Sequence, residues 1–265
     1  MIERYENSSV ELDGSVFGSD KYAFSVLVRI LKTNARLTLT DGKRIVVCHS
    51  ADPYPVWVWL PDDADEDELE RAYILVRDEL GFGSLRFNMK VCHARYFMKR
   101  AERDGRKLSN TLSLLSYACD TPIPPKMEAE GFLEIAEEKD LDEVLNFIYH
   151  FDGETLVDNV DEQRQRERAE SFVTNKHFFF WNDGRERVAS CGFHELSDQC
   201  TVVSVFTKRD HRRKGYAAAL VHRVSTMIKE LGKMPTLYTD GDYAASNACY
   251  VQIGYRLQCE LCTIV

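Results

Sequence analysis

The feature that most constrains the fold is a short apolar strand followed at once by a basic turn and a long amphipathic helix. Thr201–Thr207 is rich in β-branched and aromatic residues, which predicts a strand. After Arg212–Ala217 (RRKGYA), apolar residues recur at the i, i+3, i+4, i+7 spacing of one buried helical face until Gly232. The first turn of such a helix offers unpaired N–H groups and the positive end of the helix dipole. Two arginines and a lysine lie beside it, and the pattern predicts a diphosphate-binding site.

Small residues at Gly215 and Ala217 suit the close approach of phosphate groups to the backbone. An isolated match of this kind would more often be a basic loop that caps a helix. The strand before it and the amphipathic run after it favour phosphate binding.

The length of 265 residues allows two hydrophobic cores. Thr121–Lys126 (TPIPPK) has three prolines within four positions, which predicts an extended spacer. We therefore expect a mixed α/β domain over residues 1–120, a proline-rich linker over 121–130 and a second domain over 131–265.

The charge balance argues against nucleic acid as a partner. The net charge is -9 at pH 7 and the pI is near 5.4, whereas binding to nucleic acid relies on many cationic contacts with phosphate. The basic residues cluster locally between Lys208 and Lys214. Such a cluster suits one small polyanionic ligand.

No stretch of sequence approaches the apolar length that crosses a bilayer, and Met1–Asn7 lacks the basic start and apolar core of a signal peptide. We therefore expect a cytoplasmic protein with no membrane partner and with its eight cysteines as reduced thiols. Cys259 and Cys262 form one close pair, but a structural zinc site needs a second pair of similar spacing. We expect no metal.

Two blocks in residues 131–265, about half of the chain, resemble the GNAT superfamily of acyl-CoA-dependent N-acyltransferases. Val205–Thr207 followed by Arg212–Ala217 resembles the Arg/Gln-x-x-Gly-x-Gly/Ala signature of that family, and Leu237–Asp240 followed by Ser246–Tyr255 resembles its second block. The resemblance implies an α/β (α+β) fold with a mixed sheet flanked by helices. Residues 1–120 would then be a smaller mixed α/β domain, either a degenerate relative of the second or a domain that shapes the acceptor cleft.

The resemblance also implies that acetyl-CoA (coenzyme A) is the co-substrate and that the strand before the signature splays from its neighbour. The implied cofactor-binding residues are Val205, Phe206, Thr207, Arg212, Arg213, Lys214, Gly215, Tyr216, Ala217 and Asn247. Arg213 departs from the family pattern, because many members have a second glycine there.

Transfer of an acyl group to an amine needs a neutral amine, donors for the oxyanion and an acid for the departing thiolate. A strand N–H near Val205 or Phe206 could bind the oxyanion. The resemblance places the acid at Tyr250, three residues after Asn247 on one helical face, and the alternative for Tyr250 is core packing.

The base is left unassigned, because its candidates, Glu195, Asp240 and Asp242, are more typical of surface or turn carboxylates. Glu154 could shape substrate access. His177, His194, His211 and His222 lack the paired spacing of metal ligands and are interpreted as structural or exposed.

These observations favour an N-acetyltransferase that acts on a primary amine of a small molecule or peptide, and they leave the acceptor and the oligomeric state open. The alternative is a non-catalytic protein that binds or senses acyl-CoA.

Overall fold

The computed structural model describes residues 1–12, 17–33, 35–155 and 161–265. Over these ranges the strands are, in chain order, β1 (Glu3–Ser8), β2 (Ala35–Thr40), β3 (Val46–His49), β4 (Val56–Trp59), β5 (Phe87–Lys90), β6 (Asn110–Ala118), β7 (Phe132–Ile135), β8 (Phe178–Asn182), β9 (Arg187–Glu195), β10 (Gln199–Thr207), β11 (Met234–Asp240) and β12 (Arg256–Ile264). The α-helices are α1 (Ser25–Lys32), α2 (Glu66–Glu79), α3 (Val91–Arg103), α4 (Leu141–Thr155), α5 (Glu162–Thr174), α6 (Tyr216–Glu230) and α7 (Ala244–Gln252). The predicted mixed α/β class is confirmed.

The chain forms two compact units, and each is built from separate stretches of sequence. Unit 1 comprises Met1–Ser116, Thr239–Asp242 and Leu257–Val265. Unit 2 comprises Tyr117–Tyr238 and Tyr243–Arg256. Almost all of β12 therefore groups with the N-terminal unit. The domain limits expected from the sequence, 1–120 and 131–265, remain a prediction.

Unit 1 is a mixed sheet with the strand order β1-β2-β3-β4-β5-β12-β6. Strands β4 and β5 are parallel, whereas β1 to β4 pair antiparallel in sequence order and β5 pairs antiparallel with β12. Helices α2 and α3 cover one face through a core that includes Tyr73, Val76 and Phe97. Lys90, only 2% exposed, forms ion pairs with Asp20 and Asp62.

Unit 2 has the strand order β11-β10-β9-β8-β7. Strands β7 to β10 are antiparallel, and β10 pairs parallel with β11. Helices α4 and α5 cover one face through a cluster that includes Phe147, Phe172, Phe178, Phe180 and Phe206. Helix α6 packs against β8, β9 and β10. The sheet therefore positions the end of β10 between the helical layer and the start of α6.

The proline segment, residues 121–130, lies along unit 2 instead of hanging free as a spacer. The Ile123 N–H donates to the Ile253 carbonyl at 2.9 Å, and the Trp181 Nε1–H donates to the Glu130 carbonyl at 2.9 Å. Between these points the segment passes Gly215, at the start of α6. The hydrogen bonds fix where the segment runs, and its extended form remains a prediction.

Candidate active site

Strand β10 leaves its parallel neighbour halfway along its length. Pairing with β11 runs from Gln199 to Val202 and ends there, while pairing with β9 continues to Thr207. A bulge between Val203 and Phe206 interrupts the β9 register, and Ser204 in the bulge has a φ of 53°. A bulge bends a strand and increases its local twist. The splayed strand implied by the family resemblance is thus present, and the bulge accounts for its bend.

The peptide groups at the end of β10 point to defined sides. The Lys208 N–H donates to the Val188 carbonyl of β9, and the Thr207 carbonyl instead accepts from Arg212 Nε at 3.0 Å. Alternation along the regular part of the strand after the bulge puts the N–H and carbonyl of Thr207 on the side away from β9. Val205 lies within the bulge, in the part of β10 where the pairing with β11 has already ended.

The turn before α6 has the backbone of an anion site. Arg213 and Gly215 have φ values of 64° and 84°, and Lys214 between them is not in the positive-φ region. Such alternation turns successive N–H groups toward a common concavity. Gly215 is the N-cap of α6 and provides no side-chain cap. The first-turn amides, including those of Tyr216 and Ala217, are therefore available to an anion in the same concavity, and the helix dipole favours its negative charge. These residues fit a diphosphate.

Gly215 is required for a second reason, which differs from the one expected. A Cβ at this position would lie 2.9 Å from Met127 Cε and 3.7 Å from Ala129 Cβ. The glycine therefore makes room for the proline segment, as well as supplying the left-handed backbone of the turn. The sequence suggested that the small side chain serves the ligand alone.

The cations of the turn divide into two groups. Arg212 and Arg209 both bind the carboxylate of Glu154 at the end of α4, with Arg209 Nε 2.9 Å from Oε1. Arg213 and Lys214 are exposed and form no ion pair within the described residues. The positive charge available to a ligand at this turn therefore comes mainly from Arg213 and Lys214.

Helix α7 carries Asn247 and Tyr250 on one face and packs against α6. Asn247 is half-buried, and Tyr250 is 7% exposed. Burial raises the pKa of the Tyr250 hydroxyl well above its ordinary value, so the phenol keeps its proton. Its ring meets that of Tyr255 at 6.0 Å between centroids, and the Tyr255 hydroxyl is engaged with Ser225 Oγ at 2.7 Å.

A cavity of about 770 Å³ opens between α4, α5 and the end of β10. Its apolar wall includes Phe147 and Phe206, whose rings pack edge to face at 6.0 Å. Its polar wall includes Asp152, which accepts hydrogen bonds from Gln165 and Arg168 at 2.9 and 2.6 Å. The walls of the cavity are thus held by aromatic packing on one side and by a buried ion pair on the other.

Two of the three candidate carboxylates for the base, Glu195 and Asp240, have other partners in the structure. Glu195 binds Lys233 and lies 3.2 Å from His177 Nε2, and the hydrogen bond from Lys233 lowers the pKa of Glu195. In unit 1, Asp240 accepts the Asp242 N–H in a tight turn. The contact with Lys233 therefore weakens Glu195 as a base, and Asp240 has a structural role in its turn.

The cavity contains a histidine that the sequence did not single out. His150 lies near the end of α4, is exposed and stacks on Phe206, with 6.0 Å between ring centroids and 13° between ring planes. The signal in the sequence was its position three residues after Phe147, next to the apolar stripe of α4. Only the tertiary contact with Phe206 distinguishes it from a surface histidine.

Other features limit the chemistry of the described part of the chain. No group of three His, Cys, Asp or Glu side chains there is arranged to hold a metal ion. The cysteines are free thiols, and burial raises the pKa of Cys249, which weakens it as a nucleophile. None of the described helices is long and apolar enough to cross a membrane.

Comparisons with known proteins find similar chains. Residues 185–264 match the family model of the FR47-like protein. A GNAT-family acetyltransferase from Colwellia psychrerythraea is 13% identical and covers 100% of this chain and 98% of its own, with a TM-score of 0.60. A GCN5-related N-acetyltransferase from Sphaerobacter thermophilus is also 13% identical and covers 94% and 90%, with a TM-score of 0.67. One from Kribbella flavida is 16% identical and covers 83% and 85%, with a TM-score of 0.56.

No curated protein gives a significant match to this sequence. At these identities the solved structures establish a common fold. The family match falls on the stretch that contains β10, the basic turn, α6 and α7. The chain therefore has the fold of the GNAT acetyltransferases, with an FR47-like domain at residues 185–264.

Proposed function

We propose that this protein transfers an acetyl group from acetyl-CoA to a primary amine of a small molecule or peptide. The observation that carries the proposal is the early end of the β10–β11 pairing at Val202, followed directly by the left-handed turn at Arg213 and Gly215. This sequence of features supplies an unpaired strand edge and an anion site in one segment of unit 2.

In the proposed complex, the amides of the α6 first turn bind the diphosphate, with Arg213 and Lys214 supplying positive charge. The Val205 N–H and carbonyl, together with Phe206 and Thr207 around them, receive the amide groups of the pantetheine arm. Arg212 supports the site by holding the Thr207 carbonyl and Glu154. Asn247 contacts the cofactor from α7.

The transfer step then uses two hydrogen donors, a backbone N–H for the oxyanion and a phenol for the thiolate. The Val205 N–H lies in the bulge where the pairing with β11 has ended, and it binds the oxyanion in preference to the Phe206 N–H, because Phe206 pairs with Ser190 of β9. Tyr250 keeps its proton because it is buried, and it gives this proton to the departing thiolate.

The test of cofactor binding is calorimetric titration with coenzyme A. Arg213→Ala should raise Kd about tenfold, the effect of about 1.4 kcal/mol that one charge-assisted hydrogen bond can supply. Arg223→Ala is the matched control, because Arg223 is an exposed arginine on α6 and lies away from the turn. Equal effects of the two substitutions, or no binding by the unmodified protein, would rule out the diphosphate site.

The test of catalysis is release of thiol from acetyl-CoA with a panel of alkyl amines and lysine peptides, measured on quenched samples because the protein has free cysteines. Tyr250→Phe should reduce kcat while the Kd for coenzyme A stays unchanged. Tyr255→Phe is the control: it removes a neighbouring buried hydroxyl that is engaged with Ser225, and it should lower stability but keep turnover. Binding of coenzyme A without turnover on any amine would favour the sensing function instead.

A further inference from the structure

We propose that His150 is the general base that removes the proton from the acceptor amine. The inference rests on the proposed acetyltransferase function and identifies the general base, which the sequence left unassigned. It also places the acceptor in the cavity between α4, α5 and the end of β10.

The placement of His150 carries the inference. Its imidazole lies in the cavity wall, with its ring plane nearly parallel to that of Phe206 and 6.0 Å between the ring centroids. No hydrogen bond occupies its Nδ1 or Nε2 within the described residues. Phe206 follows Val205, the proposed oxyanion donor, on β10. The imidazole is thus fixed beside the residue at which the carbonyl group would react.

The two carboxylates that line the cavity both have cationic partners. Although burial opposes the shift, hydrogen bonds from Arg209 and Arg212 lower the pKa of Glu154. The carboxylate of Asp152 holds Arg168 and Gln165. Glu154 is therefore an ionised partner of two arginines and a poor proton acceptor, and the Oδ2 atom of Asp152 is engaged by the two side chains of α5.

The cations of the cavity wall, Lys208 and Arg209, are also engaged in ion pairs. Lys208 binds Glu186, and its ammonium lies 5.6 Å from the centre of the Phe147 ring. Arg209 holds Glu154. Imidazole is the side chain whose neutral and charged forms interconvert near neutral pH, so His150 is the group of this wall suited to accept a proton and release it. The charged and titratable groups around it are Asp152 and Glu154 on α4, with Tyr149 beside it, Arg168 on α5, and Lys208 and Arg209 after β10.

The step balances in protons. The ammonium group of the acceptor gives one proton to neutral His150, which later releases it to solvent. The resulting amine forms the C–N bond to the acetyl carbonyl carbon, and the C–S bond then breaks. The thiolate takes its proton from Tyr250, and the second proton lost by the nitrogen restores Tyr250. One N–H remains in the amide.

The test compares the unmodified protein with His150→Gln, which keeps a polar side chain but cannot take up a proton near pH 7. With 1,5-diaminopentane and a lysine tripeptide as acceptors, kcat/KM should fall about 10²- to 10⁴-fold, the usual contribution of a general base. With hydroxylamine, which is already neutral at pH 7, the fall should be much smaller. The acidic limb of the kcat/KM profile should disappear, and added imidazole should restore part of the rate.

Two controls separate a catalytic role from a structural one. His150→Gln should keep the melting temperature and the Kd for coenzyme A, because the side chain is exposed and lies outside the diphosphate turn. His222→Gln, on α6, removes a histidine outside the cavity and should leave the pH profile unchanged. A second substitution, His150→Asn, guards against an effect of the glutamine itself.

The outcomes distinguish the two levels of the proposal. If the unmodified protein turns over amines and His150→Gln keeps its rate and acidic limb, the role of His150 is refuted and the acetyltransferase function stands. If the unmodified protein binds coenzyme A but acetylates no amine, both are refuted. Equal losses with the alkyl amines and with hydroxylamine would show that His150 acts in packing instead of proton transfer.

Discussion

Replacement of Gly215 by alanine tests the turn on which the cofactor site depends. Gly215 has a φ of 84°, and a left-handed backbone destabilises a residue with a Cβ by about 1–2 kcal/mol. The new methyl group would also lie 2.9 Å from Met127 Cε. Met127 is exposed and its Cε is the end of a flexible side chain, so moving it off its rotamer costs about 0.5–1.5 kcal/mol. The free energy of unfolding should therefore fall by about 1.5–3.5 kcal/mol.

Gly232→Ala provides the matched control at the other end of α6. Gly232 has a φ of 74°, and an added Cβ meets nothing within 4 Å. This substitution should therefore show the backbone effect alone, about 1–2 kcal/mol. Combining Gly215→Ala with Met127→Ala should remove the steric part and bring the loss close to that of the control.

The assay is equilibrium unfolding in urea followed by circular dichroism, with calorimetric titration of coenzyme A on the same variants. Gly215→Ala should weaken coenzyme A binding and Gly232→Ala should not, because only the first change disturbs the turn amides. Equal losses of stability in the two variants would refute the contact with Met127. Full stability of Gly215→Ala would refute the left-handed turn itself.

Three further substitutions and one control test the packing and the ion pairs of the two units. Phe147→Ala should lower the free energy of unfolding by about 3–5 kcal/mol, whereas the exposed Phe132→Ala should change it by less than about 0.5 kcal/mol in the same urea titration. Although burial opposes the shift, hydrogen bonds from Arg187 and the Glu137 N–H lower the pKa of Asp140, so its contribution is present above about pH 4 and is lost as pH falls further. Acid titration of stability should therefore show a smaller loss for Arg187→Met than for the unmodified protein, and an unchanged loss would contradict the assignment. Lys90→Met leaves two aspartates without their buried cation and should destabilise by about 3–5 kcal/mol; a loss below about 1 kcal/mol would show that the cluster contributes little.

The elements with strong local patterns were predictable from sequence. The apolar stripe that predicted a helix from Ala217 to Leu231 matches α6, Tyr216–Glu230, and the β-branched run at Thr201–Thr207 matches most of β10. Strand β1, Glu3–Ser8, was missed because its sequence, ERYENS, is polar and lacks alternation. It is a strand because it pairs with β2, a contact that no local pattern encodes.

The candidate site was predictable only in part, for the same reason. The basic turn and Tyr250 follow from short motifs, and their roles remain predictions. Ser204, at the bulge, interrupts a run of β-branched and aromatic residues, but one serine in such a run does not predict a bulge. His150 became a candidate site residue only through its ring contact with Phe206. The role of Met127 likewise depends on its approach to Gly215. Contacts between residues far apart in sequence decide these features.

The grouping of β12 with unit 1 has a consequence for synthesis of the chain. Thr263 Oγ1 donates to Asn88 Oδ1 at 2.7 Å across 175 residues of sequence, and β5 pairs with β12 from Phe87 to Lys90. A ribosome therefore translates all of unit 2 before it delivers the strand that completes the sheet of unit 1. During that interval β5 has an unpaired edge in the nascent chain, and this edge is a surface that a chaperone can bind.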